Sequence, residues 1–147
     1  MSAYRVLRNA VGVVALGLFA GCAVNDVGQV GERPREAITF AAQSSYPSNP
    51  KYADQYKAVA LYDATRKEID IYNLGKDPIP ATAAWVNGRF VSRVSTVSAK
   101  SHITVPYKEL IESGAGVNDF AQMATVPIQV ELQTRDGLAA AQGPVPR

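Results

Sequence analysis

From Tyr56 the chain alternates, with Lys57, Val59 and Leu61 falling on one side of an extended strand and Ala58, Ala60 and Tyr62 on the other. Asp63-Ala64-Thr65-Arg66 supplies a polar turn, and Ile69 and Ile71 resume the period of two. Asn73 to Pro80 holds Gly75, Asp77, Pro78 and Pro80, and two missing backbone donors there stop a ladder. Asn87-Gly88 lies between Thr82–Val86 and Arg89–Val94 and predicts a two-residue type I′ hairpin, because both residues tolerate positive φ. Counting outward sets Val86 opposite Arg89, Trp85 opposite Phe90 and Ala84 opposite Val91, so Ala83, Trp85, Phe90, Ser92 and Val94 share an inner face. Thr82, Arg89, Val91 and Arg93 then face water.

Ile103, Val105 and Tyr107 predict the next strand, followed by one or two helical turns over Lys108–Ser113 that Gly114 closes. Phe120 sits in an irregular stretch and is expected to plug the end of the core. Val126, Ile128, Val130 and Leu132 alternate with Pro127, Gln129, Glu131 and Gln133, the cleanest half-buried strand in the chain. Pro127 places its start at an edge or among the strand's first residues. Asp136-Gly137 ends it, and residues 137–147 read as a disordered tail. About six short strands without an amphipathic helix predict an all-β fold, an antiparallel sandwich of residues 51–136.

The chain ahead of this domain has a different character. Arg5 and Arg8 precede an unbroken apolar or glycine run from Ala10 to Ala20, of the length of a signal-peptide core and too short to span a bilayer. Residues 22–50 mix Gly28, Gly31, Pro34, Pro47 and Pro50 with serines and read as a flexible tether, in which Ile38-Thr39-Phe40 could form a short strand.

The end of the apolar run, Leu18-Phe19-Ala20-Gly21-Cys22, resembles the lipobox of bacterial lipoproteins, with Phe19 where leucine is usual. The resemblance implies removal of residues 1–21 and diacylglyceryl attachment at Cys22, the protein's membrane contact. It also implies residence in the cell envelope. With Ala23 rather than aspartate after the cysteine, it implies the outer membrane, facing the periplasm, in a two-membrane source. The mature region looks like the small immunoglobulin-like β-sandwich domains of bacterial exported proteins. That likeness is carried by Ile69-Asp70-Ile71-Tyr72-Asn73, Trp85-Val86-Asn87-Gly88-Arg89-Phe90 and Ile103-Thr104-Val105-Pro106, and it implies fold rather than activity.

Charge narrows the partners. The chain has 15 Lys plus Arg against 13 Asp plus Glu, and without Arg5 and Arg8 the two signs balance. That balance argues against a nucleic-acid footprint. One histidine, His102, and one cysteine exclude an internal disulfide, a histidine-rich metal site and a Cys-His pair, so no metal or cofactor is expected. Asp63, Asp70, Asp77 and Asp119 show no paired spacing, Asp70 is expected to face solvent, and Asn118-Asp119 is too sparse for a calcium loop. The chain is therefore expected not to be an enzyme. A binding surface is expected from Arg89 and Arg93 on the hairpin, with Lys100 near, or from Tyr52 and Tyr56 beside Tyr46. The expected role is a non-catalytic interaction or accessory module with an envelope protein partner. The alternative is binding of a carbohydrate or envelope polymer.

Overall fold

The computed structural model describes residues 35–114, 118–123 and 125–147. The expected signal segment, Cys22 and the first part of the expected tether lie outside the described residues. The described chain is mostly β, with one helix, α1 (Arg35–Gln43), and eight strands: β1 (Ala58–Asp63), β2 (Glu68–Asn73), β3 (Ala83–Val86), β4 (Phe90–Arg93), β5 (His102–Pro106), β6 (Ile111–Glu112), β7 (Val130–Thr134) and β8 (Gly137–Pro146). They form a single sheet in the order β5-β2-β1-β8-β7-β3-β4-β6.

This sheet is mixed, which corrects the expectation of a purely antiparallel one. The difference lies in β8, the segment expected as a tail. Its first half pairs antiparallel with β7, from Gly137 opposite Thr134 to Ala140 opposite Glu131. Its second half runs parallel to β1, Ala58 opposite Ala141 and Leu61 opposite Val145, with a bulge between. One strand thus joins two half-sheets, and burial of Leu138, Ala139 and Ala141 holds it there. The turn that starts it needs glycine. Gly137 has φ +135°, and a Cβ there would stand 2.4 Å from the Lys51 carbonyl oxygen, which accepts from the Leu138 N–H.

The sheet curls around one main core. Ala58 and Ala60 of β1, Ile69 and Ile71 of β2 and Val105 of β5 share a cluster with Ala84, Val86, Phe90, Val130 and Leu132 from the other half. Phe120 closes it as expected, its ring edge-on to Phe90 at 5.2 Å and to Tyr107 at 4.8 Å. The helical turns expected over Lys108–Ser113 shrink to a 3₁₀ turn, Tyr107–Glu109, before β6.

The hairpin keeps its Asn-Gly turn but not its register. Asn87 and Gly88 both take positive φ, 54° and 63°, yet Val86 pairs with Phe90 and Trp85 with Val91. Arg89 is the extra residue: its N–H closes the turn on Val86 while its carbonyl accepts from Ser113 beyond β6. A slip of one residue exchanges the faces of the strand. Trp85 and Phe90 consequently lie on opposite faces, Phe90 in the main core and Trp85 in a second cluster with Ala83, Val91, Ile111 and Leu138.

That second cluster is covered by α1, where the sequence reads as tether and allows a short strand at Ile38–Phe40. Ala37, Phe40 and Ala41, spaced by three and four, make the stripe that packs on it, and Ala41 is fully buried. Tyr46 follows, edge-on to Trp85 at 5.4 Å. The folded body therefore begins at or before Arg35, and Val91 is buried rather than facing water.

Residues 125–129 are also reassigned. The Asn87 side chain accepts from the N–H groups of Ile128 and Gln129 and donates to the Val126 carbonyl. These bonds hold the backbone out of regular pairing, and β7 starts only at Val130. Val126 and Ile128 are exposed as a result, while Val130 and Leu132 keep their inward positions.

Candidate functional site

The four side chains expected to bind a ligand do not converge. Arg89 donates from Nε to the Glu112 carboxylate at 2.7 Å, and Asn118 donates to the other oxygen. Those two donors hold the Glu112 carboxyl below its ordinary range, Asn118 contributing most. Arg93 lies over the Phe40 ring, 5.0 Å from its centre, and so helps seat α1.

Tyr52 and Tyr46 attend the buried Glu131, which accepts from the Tyr46 hydroxyl at 2.7 Å and from Gln129 at 2.8 Å. Burial first, then the Glu131 carboxylate, pushes the Tyr46 hydroxyl above the ordinary tyrosine range. The Tyr52 hydroxyl is raised chiefly by its bond to Glu131. This group fastens the segment after α1 to β7.

Three of the acidic candidates are likewise committed. Asp63 accepts from the N–H groups of Thr65 and Arg66 in its turn, and Asp119 accepts from the Gln122 N–H. Asp70, expected at the surface, is only 4% exposed. Arg147 reaches over it from the end of β8, 2.9 Å from one oxygen, and Thr104 donates to the other at 2.6 Å. His102 is exposed on β5 and stacks on Tyr72.

What the structure does assemble is a cleft of about 590 Å³, whose lining includes Tyr56, Lys57, Lys76, Asp77, Lys100 and Arg135. Of Arg89, Arg93, Tyr52 and Tyr56 only Tyr56 reaches it. Burial raises the Tyr56 hydroxyl above its ordinary range, and the Asp136 carboxylate it donates to, at 3.0 Å, adds to the rise. Lys100, expected beside Arg93, lies here instead, and its ammonium donates to the Leu74 carbonyl.

The wall of the cleft is built on Asn73. This buried side chain donates to the carbonyls of Asp77 and Val97 at 2.8 and 3.1 Å and accepts from the Gly75 N–H at 2.9 Å. Ile79 and Val97, both fully buried, then exchange two backbone bonds of 2.9 Å. The loops after β2 and β4 are thereby locked together, and the cleft is preformed.

Asn73→Ala should cost about 1–3 kcal/mol, because the Asp77 carbonyl and the Gly75 N–H lose their partner and the Val97 carbonyl keeps only the Ile79 N–H. Urea melts check the loss. A change below about 0.5 kcal/mol would mean water replaces the side chain and the wall is not held by it.

A strand edge is the other surface available. Tyr107 donates to the Lys67 carbonyl and Asn73 to that of Ser101, so the backbone groups of His102 and Thr104 point away from β2. Pro106 interrupts this edge, and Lys100 and Lys108 flank it. A second copy pairing antiparallel about Thr104 would set Lys100 opposite Lys108, a like-charge contact that guards against self-association.

No family model, curated protein or solved structure matches this chain.

Proposed function

We propose that this protein is a lipid-anchored, non-catalytic accessory module of the bacterial cell envelope that works by binding, and that a carbohydrate or envelope polymer occupies its cleft. The lipobox-like segment supports the anchor at Cys22 and the outer-membrane, periplasm-facing address. The curled sheet, with two halves on either side of one core, supports reading the domain as a variant of the small immunoglobulin-like sandwich.

The observation that carries the binding role is the preformed cleft, about 590 Å³ in volume and therefore in the range of small-ligand sites. A site held open by buried hydrogen bonds loses little conformational freedom when a ligand enters. The protein-partner reading has the β5 edge in its favour, but that edge is short, interrupted by Pro106 and guarded by lysines.

The test is co-purification. Full-length protein extracted from its own membranes in mild detergent should carry saccharide that mass spectrometry detects. His102→Ala, altering an exposed side chain outside the cleft, should retain it. Leu74→Trp, filling the cleft from a half-exposed position without changing charge, should lose it. Saccharide retained by Leu74→Trp, or absent from the native protein, would contradict this reading.

A further inference from the structure

We propose that the ligand of this cleft is an acidic glycan, a chain of sugar units carrying carboxylate or phosphate groups. The inference rests on the ligand-binding reading above and adds the chemistry of the ligand to it.

Charge is the first argument. Lys57, Lys76, Lys100 and Arg135 line the cleft against the single carboxylate of Asp77, in a chain whose charges balance once Arg5 and Arg8 are set aside. The excess is local. It is also uncommitted, since among the described residues neither Lys57 nor Lys76 takes part in an ion pair. Arg135 approaches Asp136 only at 3.7 Å with its side chain 87% exposed, a contact that water screens. Lys100 uses one donor on the Leu74 carbonyl and keeps two for an incoming oxygen. Lysines arranged this way neutralise anionic oxygens as point charges.

The walls give the second argument. Tyr56, Leu74, Pro78 and Pro80 present apolar and aromatic surface between the cations. A free inorganic anion would make no use of them, whereas a sugar ring offers C–H faces to such surface and hydroxyls to Gln55 and Asp77.

Shape supplies the third. A second hollow of about 540 Å³ shares Tyr56, Lys57 and Leu74 with the first and is lined also by Asp54 and by Ala140 and Gln142 of β8. Two adjoining hollows offer room for more than one sugar unit, as a polymer requires. A concave surface of this kind does not suit a flat bilayer.

Lys100 carries a further sign. It takes φ +55°, a conformation in which a non-glycine side chain is strained. Lys100→Gly removes both the strain and the amine, so it should leave the fold intact while weakening binding.

The experiment is calorimetric titration of full-length protein in nonionic micelles with trigalacturonate, glucose 6-phosphate and neutral maltotriose. The expected result is that a charged probe binds at least about tenfold tighter than maltotriose and weakens as salt rises. Carboxylate or phosphate is assigned by which probe binds. Lys57→Gln combined with Lys76→Gln should weaken it about tenfold, and Lys100→Gly about threefold, while Lys108→Gln outside the cleft changes nothing. Maltotriose binding equally well, unaffected by the lysine changes, would overturn the acidic-glycan assignment and keep a neutral-sugar site. Failure of all three probes would overturn both. Lysine-dependent capture by phosphatidylglycerol vesicles in place of the sugars would assign the cations to the membrane instead.

Discussion

Replacing Trp85 by alanine is expected to lower the stability of the folded domain by about 3 to 5 kcal/mol, a large part of what a domain of this size has. Trp85 is 1% exposed, and its ring receives Tyr46 edge-on. Its indole N–H donates to Gln133 at 2.9 Å. Removing the side chain opens a cavity between the sheet and α1, which depends on the same cluster for its seat. Trp85→Phe keeps most of the apolar volume but loses the N–H, and should cost about 1–2 kcal/mol. Circular dichroism in urea reads both changes without tryptophan fluorescence. A loss below about 1 kcal/mol for the alanine variant would mean that α1 does not close over this face and that Trp85 is open to solvent.

The second large effect concerns location. Cys22→Ser should abolish lipid attachment and leave the precursor uncut after Gly21, because the thiol is the acyl acceptor in the lipoproteins whose signal Leu18–Cys22 resembles. Membrane extraction should then recover no acylated form. Mass spectrometry of the mature amino terminus decides it: a diacylated cysteine is expected in the native protein, and an unmodified cysteine or a cut elsewhere removes the basis for the envelope address.

Much of the strand pattern was legible in the sequence, because half-buried strands advertise themselves by alternation. Ile69 and Ile71, Ile103 and Val105, and Val130 and Leu132 all lie in strands as their spacing implies, and Asn87-Gly88 turns with the positive φ angles its chemistry allows. Three features were hidden for separate physical reasons. The hairpin register depended on where the Arg89 carbonyl found a donor, and Ser113 lies too far along the chain to be read locally. The helix α1 and the strand β8 bury mostly alanine, whose small apolar surface gives a weak periodic signal, and Gly143, Pro144 and Pro146 gave β8 the composition of a tail.

The cleft was hidden most completely. Lys57 precedes β1, Lys76 follows β2, Lys100 precedes β5 and Arg135 sits in the β7–β8 turn, so only the fold makes them neighbours. Arg89, Arg93 and Tyr52 are distinctive in the sequence for a structural reason. Each engages another element: Arg89 bonds to Glu112, Arg93 lies over the Phe40 ring, and the Tyr52 hydroxyl feels the Glu131 carboxylate. Asn73, which shapes the site, is one asparagine in a turn-rich stretch, and its role shows only in the bonds it makes with the loops on either side.

The central claim, that the cleft is occupied in the cell envelope, is tested most directly by acetylating lysines in intact membranes and in purified protein and comparing the two by mass spectrometry. Lys57, Lys76 and Lys100 should be shielded in the membranes and reactive after purification away from envelope polymer, while the exposed Lys108, outside the cleft, should react alike in both. Equal labelling of all four lysines in the two preparations would contradict the account.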